Sequence, residues 1–274
     1  LALNYDYNKL DVLKQGAETL NDDTRQRLTR TSIFQASYTP IDKLSIESFL
    51  SFVNQERSLT SGATVDQTSG FGDVVLLAKY KLLENKEKGS ALSAGLGVKL
   101  PTGKTDLATD SGITLNADLQ PGSGAIDQLF WSRFSQQFSK RPSASVFASA
   151  IYSNKGENDE YLQRFTYHFG NEIQAMLGVS DQFVLGSKLI DPSLSFRYRN
   201  AAEDEQNEII LPNTGGQWIF AQPAVLLWLN SALGIRLASD IPVYSKVDGL
   251  QLSPTYRLNG GIFVPLNFSS DRDL

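Results

Sequence analysis

The sequence predicts an all-β fold: a closed antiparallel transmembrane β-barrel of about twelve strands, of the kind that crosses a bacterial outer membrane. Three observations carry this. Apolar and polar residues alternate over segments much longer than a soluble strand, short and long connections take turns along the chain, and no apolar run is long enough for a helical span. The longest are Val74 to Ala78 and Ala224 to Leu229, against the roughly 20 residues that a membrane helix needs.

A strand dividing lipid from a polar lumen alternates because successive Cβ atoms point to opposite faces. In the closing segment Leu252, Pro254, Tyr256, Leu258, Gly260, Ile262, Val264, Leu266 and Phe268 share one face, with Gln251, Ser253, Thr255, Arg257, Asn259, Gly261, Phe263, Pro265 and Asn267 on the other, an alternation with few exceptions. The usual soluble strand is only about 5–6 residues long. Leu92 to Leu100, Val74 to Leu82, Leu233 to Val243, Phe165 to Val179 and Leu44 to Phe52 alternate in the same way. A soluble sandwich or lipocalin-like barrel also alternates, but its polar face is wet and rich in charge. Here the polar faces carry Gly, Ser and Ala with single charges between them, as a crowded lumen would.

Twelve strands are expected to begin near Leu1, Leu28, Lys43, Gly72, Ser90, Ala125, Ser143, Tyr161, Gln182, Gln217, Ser231 and Gln251. The short connections are Thr39 to Asp42, Glu84 to Gly89, Ser139 to Pro142, Ser180 to Asp181 and the neighbourhood of Asn230. The long ones are Lys14 to Thr24, Asn54 to Gly70, Thr102 to Gly124, Asn154 to Glu160, Asn200 to Gly216 and the tighter Ser245 to Leu250. This is the arrangement of short periplasmic turns and long extracellular loops, and lipid forbids an open sheet edge, so the first and last strands should pair. Residues 1–268 then form one barrel and 269–274 a tail. The chain opens at Leu1 within a strand, as a mature or trimmed form would. Pro192, Pro223, Pro242, Pro254 and Pro265 fall in or near strands, where bulges are expected. The alternation changes phase near Asp191 and Pro192, and the face of the strand from Gln217 to Leu229 is not assignable.

Composition narrows the function. There is no Cys, one His and one Met, and the net charge is −5, which removes disulfides and thiolate metal sites and argues against a nucleic-acid partner. A cysteine-free chain suits passage through the periplasm unfolded. His168 must serve any histidine-dependent chemistry, and the strand reading places it in the lumen with Thr166, Gly170 and Glu172. A membrane-embedded hydrolase would want a serine two residues on, where Gly170 stands. Asp22–Asp23 and Glu203, Asp204 and Glu205 lack the spacing of a calcium loop, so neither a metal nor a cofactor is expected. Tyr5, Tyr7, Tyr38, Phe52, Tyr80, Tyr152, Phe165, Tyr198, Trp218, Tyr244 and Phe268 are candidates for the aromatic girdles.

The candidate lumen residues are Glu47, Asp73, Lys79, Lys81, Lys99, Asp127, Arg133, Arg164, His168, Glu172, Arg197, Arg236, Asp240 and Arg257. Unpaired Arg and Lys would favour anions, whereas charges paired across a narrow lumen would plug it. The first reading is a passive or gated channel for small solutes, anionic or aromatic. The second is a non-conducting accessory barrel of a larger outer-membrane complex, and the third a membrane-embedded hydrolase.

Three segments, Gly70 to Leu83 (GFGDVVLLAKYKLL), Gly95 to Asp106 (GLGVKLPTGKTD) and Leu119 to Asp127 (LQPGSGAID), occur in that order. The chain resembles the outer-membrane barrel family labelled "transporter" or "putative meta-pathway of phenol degradation", and the opening Tyr5 to Leu13 and the late Phe268 are consistent with it. The resemblance implies an outer-membrane barrel in contact with lipid and lipopolysaccharide. An aromatic near the end, here followed by SSDRDL, is similar to the signal read by the barrel-insertion machinery.

Overall fold

The computed structural model describes residues 1–22, 24–59, 62–109 and 111–266; Asp23, Asn267, Phe268 and the tail 269–274 lie outside them. Twelve strands form the wall: β1 (Ala2–Gln15), β2 (Arg25–Ile41), β3 (Leu44–Leu59), β4 (Val74–Asn85), β5 (Ser90–Leu100), β6 (Asp127–Phe138), β7 (Arg141–Asn154), β8 (Glu172–Ser180), β9 (Lys188–Ala201), β10 (Gly216–Asn230), β11 (Leu233–Val247) and β12 (Leu250–Phe263). Each pairs antiparallel with its neighbours, and β12 pairs with β1 from Ala2↔Phe263 to Gln15↔Leu250, closing the sheet. No helix among the described residues is long and apolar enough to cross a membrane; this chain crosses with strands.

The two faces are sorted as the alternation requires. Leu3, Leu96, Leu177 and Leu237 are 54%, 65%, 60% and 59% exposed on the outside, a continuous apolar belt that only lipid can cover. Tyr5, Tyr38, Phe52, Tyr80, Tyr152 and Tyr244 stand on the same outer surface. Because Leu96 sits mid-strand in this belt, Leu96→Arg is expected to cost about 2–4 kcal/mol, read as a lowered urea midpoint for folding into lipid vesicles.

Several expectations need correction. The eighth strand begins at Glu172 rather than near Tyr161, and the ninth at Lys188 rather than near Gln182. Ser180–Asp181 is not a turn: the short strand Phe183–Leu185 prolongs β8 and pairs with β9 through Gly186, at φ +62°. That hairpin reverses the chain and moves the outward positions from odd numbers, as at Phe183 and Leu185, to even ones, as at Leu194 and Phe196, while Leu189 falls on the inner face. The segment before β8, Glu157–Tyr161 and Phe165–His168, instead joins Glu205–Gln206 and Ile209–Ile210 from the loop after β9 in a small separate sheet above the wall. Leu162–Gln163 and Asn207–Glu208 turn its hairpins, both residues of each pair at positive φ. Phe165 and Trp218 therefore leave the girdle, Phe165 for this sheet and Trp218 for the barrel interior, where it is 5% exposed.

The prolines divide. Pro242 and Pro254 sit at register shifts, and Pro265 lies past the end of β12, but Pro192 and Pro223 are held in continuous register. At the β1–β12 seam, Asp11 and Thr255 are both looped out, and their side chains hydrogen-bond to each other. The shift breaks the alternation of the closing strand, which is regular only from Tyr256 onward: Leu252 and Pro254 border the loop-end cavity, and Ser253 between them accepts from the Trp218 indole at 3.2 Å.

Candidate functional site

Register partners share a face, and the inner face holds charge in pairs. Lys79 meets Glu47 at 2.8 Å, Arg199 meets Glu172 at 2.7 Å, and Arg257 meets Asp6 across the seam at 2.7 Å. Arg197 on β9 reaches Asp240 on β11 at 2.6 Å, passing over β10, whose Gln222 donates to the other carboxylate oxygen. Gln174 accepts from the remaining side of the Arg197 guanidinium at 3.0 Å. A charge taken from water persists only when paired and fully hydrogen-bonded, and these side-chain amides complete the pairs. Aromatic rings back the same cations: Trp131 lies under Lys79 at 4.5 Å, Phe220 under Arg197 at 4.4 Å and Trp218 under Arg199 at 4.7 Å.

Nearer the loop end the three segments of the family resemblance converge. The Asp73 carboxylate accepts from the Gly103 N–H at 2.9 Å on one oxygen and from the N–H and hydroxyl of Ser123 on the other. Gly103 and Gly122 touch through their backbones: a Cβ on Gly103 would lie 2.7 Å from the Gly122 Cα, so neither position has room for a side chain. Lys99 contacts Ser123 and lies 2.8 Å from Asp127, which is 1% exposed. Asp127 also holds Lys155 at 3.2 Å and the Gly156 N–H. One buried chain of charges thus ties β4, β5 and β6 to two long loops.

The loop fixed by this clamp, 101–126, folds into the barrel mouth. Its short 3₁₀ turn, Ala117–Leu119, is buried, with Leu119 1% exposed. Arg27 grips the Asp118 carboxylate at 2.7 Å, while the Thr68 hydroxyl donates to the Leu119 carbonyl and the Gln55 amide to that of Gln120. Ala117 packs against Tyr161 and Tyr167 of the small sheet, joined by Phe165, Phe169 and Leu211. Tyr167 donates to Asp204 at 2.7 Å. Burial first, and then the Asp204 carboxylate, push the Tyr167 phenol well above its usual range, so the neutral form is bound into the fold. The stabilisation is fully present below the pKa of an unfolded tyrosine and is lost as pH rises above it. A spectrophotometric titration should therefore show Tyr167 ionising only with unfolding of the loop sheet, a component that Tyr167→Phe removes.

Between the infolded loop and the wall lies a cavity of about 940 Å³. Arg27, Lys99, Lys155 and Arg199 reach it alongside Asp73, Asp118, Glu172 and Asp204, with Tyr161, Tyr167 and Trp218 as aromatic walls.

The residues singled out from the sequence fall into four groups. Glu47 with Lys79, Arg197 with Asp240, and Arg257 with Asp6 meet along the inner face, and Glu172 with Arg199 at its loop end. Asp73, Lys99 and Asp127 form the clamp. Lys81 shares the face of Lys79 toward the short turns and pairs with Glu84 at 3.1 Å, while Arg133 and Arg236 face inward without a carboxylate partner among the described residues. Arg164 and His168 are not on the wall at all. Arg164 stacks on Phe165 beside the 162–163 turn, and the His168 ring bonds the Lys155 carbonyl at 3.1 Å. Sequence reasoning passed over Asp6, Arg27, Lys155, Gln222 and Phe220. Asp6 was legible, since Asn4, Asp6 and Asn8 alternate with Leu3, Tyr5 and Tyr7. Arg27 and Lys155 fell just beyond the expected strand limits.

The chain is similar to an outer-membrane channel of Pseudomonas putida F1, with TM-score 0.72, 16% identity and coverage of 95% of this chain and 92% of that one. The β domain of the Bordetella autotransporter BrkA superposes with TM-score 0.55 at 9% identity, covering 97% and 98% of the two chains. The KdgM porin does so with TM-score 0.51 at 7% identity, covering 97% and 100%. At these identities the likeness establishes the fold, that of an outer-membrane barrel. No curated protein matches the chain in sequence. The family model described as "Putative MetA-pathway of phenol degradation" matches residues 14–220 and spans all three converging segments, so the chain belongs to that family.

Proposed function

We propose that this barrel is a channel that passes small solutes, anionic or aromatic, across the outer membrane. The observation that carries the reading is the inner face itself. It is lined with cations, nearly all of them seated on an aromatic ring or beside a carboxylate, and it opens toward the loop end into a 940 Å³ cavity. Such a surface offers a solute both a charge and a planar face, and ion pairs spaced along the wall let it move from one to the next. The P. putida relative is described as a channel and KdgM as a porin, which supports the same reading. Lipid and lipopolysaccharide would surround the wall, and the insertion machinery would deliver it.

The infolded loop 101–126 favours a second reading, a closed accessory barrel within a larger complex. Purified barrel, shown to be folded by its heat-dependent gel shift, separates the two in planar bilayers. Discrete ohmic steps are expected of a channel, whereas silent bilayers together with a stably co-purifying partner would establish the accessory role.

A further inference from the structure

Arg133 differs from every other cation of the inner face. Its guanidinium lies 4.6 Å from the Phe147 ring centre, and the side chain is open to the lumen. The positions directly across from it on both neighbouring strands are serines, Ser93 on β5 and Ser149 on β7. No carboxylate pairs with it, the one inward carboxylate of β6, Asp127, being six residues away and held by Lys99, and among the described residues neither Arg133 nor these two serines makes a side-chain hydrogen bond. Arg236, the other inner-face cation without an ion pair, is less free: Asn259 accepts from it at 3.3 Å, and Asp240 stands four residues along on the same face.

We propose that Arg133, braced on Phe147 and flanked by the hydroxyls of Ser93 and Ser149, is an anion-binding station of the lumen, fitted to small carboxylates; the proposal rests on the channel reading. Each element has a reason. The ring fixes the plane of the guanidinium without neutralising it, since its face offers only partial negative charge. A guanidinium held flat presents two parallel N–H donors, the geometry that a carboxylate matches and a spherical anion cannot. The serines add donors on either side at no cost in charge. Elsewhere on the inner face the protein's own carboxylates occupy this geometry, as Asp6 does with Arg257, one oxygen accepting from Nε at 3.2 Å and the other from Nη2 at 2.7 Å. At Arg133 the place is left to the solute.

The test uses the intact barrel in planar bilayers, with chloride and acetate as probes. The wild type is expected to reverse toward the chloride potential in a KCl gradient. Arg133→Gln should lower the chloride-to-potassium permeability ratio by at least about twofold. Arg133→Lys should keep the chloride preference but lose the preference for acetate over chloride, because the charge remains and the planar pair of donors does not. Conducting barrels whose reversal potential is the same with Arg133→Gln overturn the station while leaving the channel intact. Acetate preference surviving in Arg133→Lys reduces it to a point charge and overturns the carboxylate assignment. A folded wild type that does not conduct fails at the earlier step and takes both proposals with it.

Discussion

Asp127→Ala is expected to lower the stability of the folded barrel by about 3–5 kcal/mol. Asp127 is 1% exposed and is the common partner of Lys99 and Lys155. Without it Lys99 keeps only Asp73, at 3.4 Å, and Lys155 loses its counter-charge. Burial gives such a cation no water in exchange, which is why removing one member of a buried pair costs more than the pair contributes. The Gly156 N–H also loses its acceptor. Equilibrium unfolding in urea, followed by tryptophan fluorescence in detergent micelles, measures the loss. Asp127→Asn, which retains an acceptor for Gly156, should fall between the two. Limited proteolysis should map the loosened region to the loop after β7, while the wall strands stay protected.

Excising residues 104–121 and joining Gly103 directly to Gly122 is expected to leave a folded barrel that conducts at least about twice as well as the intact one. The excision is geometrically mild because the two glycine backbones already touch and the Gly122 N–H bonds the Lys104 carbonyl. The Asp73 clamp, with Gly103 and Ser123, survives the cut. What leaves is the 3₁₀ turn, Asp118 and the apolar contacts of Ala117 and Leu119, the part of the loop that occupies the mouth. Single-channel recording reads the result directly. Unchanged conductance in a folded variant would place the narrowest point deeper, among the Arg197–Asp240 and Arg257–Asp6 pairs.

Much of the wall was legible in the sequence because a two-faced strand in lipid has little freedom. Leu96 and Leu177 must look outward and Lys99 and Glu172 inward, so parity alone orients them. Parity fails where both faces are apolar or a bulge intervenes. In β10, Trp218 and Phe220 point inward and Ile219 and Ala221 outward, and only the register against Arg199 and Arg197 decides which. At Thr255 a looped-out residue breaks the alternation, and Leu252 and Pro254 come to border the loop-end cavity. The segment Tyr161 to His168 alternates as a wall strand would, yet it pairs with Gln206 and Glu205 forty residues on, a partnership with no local signature. The site divides on the same line. Inward charges follow from parity, but Arg197 finds Asp240 across an intervening strand, and the joining of Asp73, Gly103 and Ser123 depends on the path of a loop.

The seam between β1 and β12 also governs how the barrel can be made. Its partners, from Ala2↔Phe263 to Gln15↔Leu250, lie some 250 residues apart, so their loop-closure entropy is the highest in the wall. Every other strand finds a neighbour nearby in sequence; this pair forms after nearly the whole chain has emerged. Until then two long edges carry unsatisfied donors and acceptors, open to any other strand in the periplasm. The interval between synthesis and closure is therefore when this chain most needs an escort. Slowing of assembly should follow from changes at Asp6 or Arg257, whose ion pair spans the seam, long before it follows from changes at hairpins such as β10–β11.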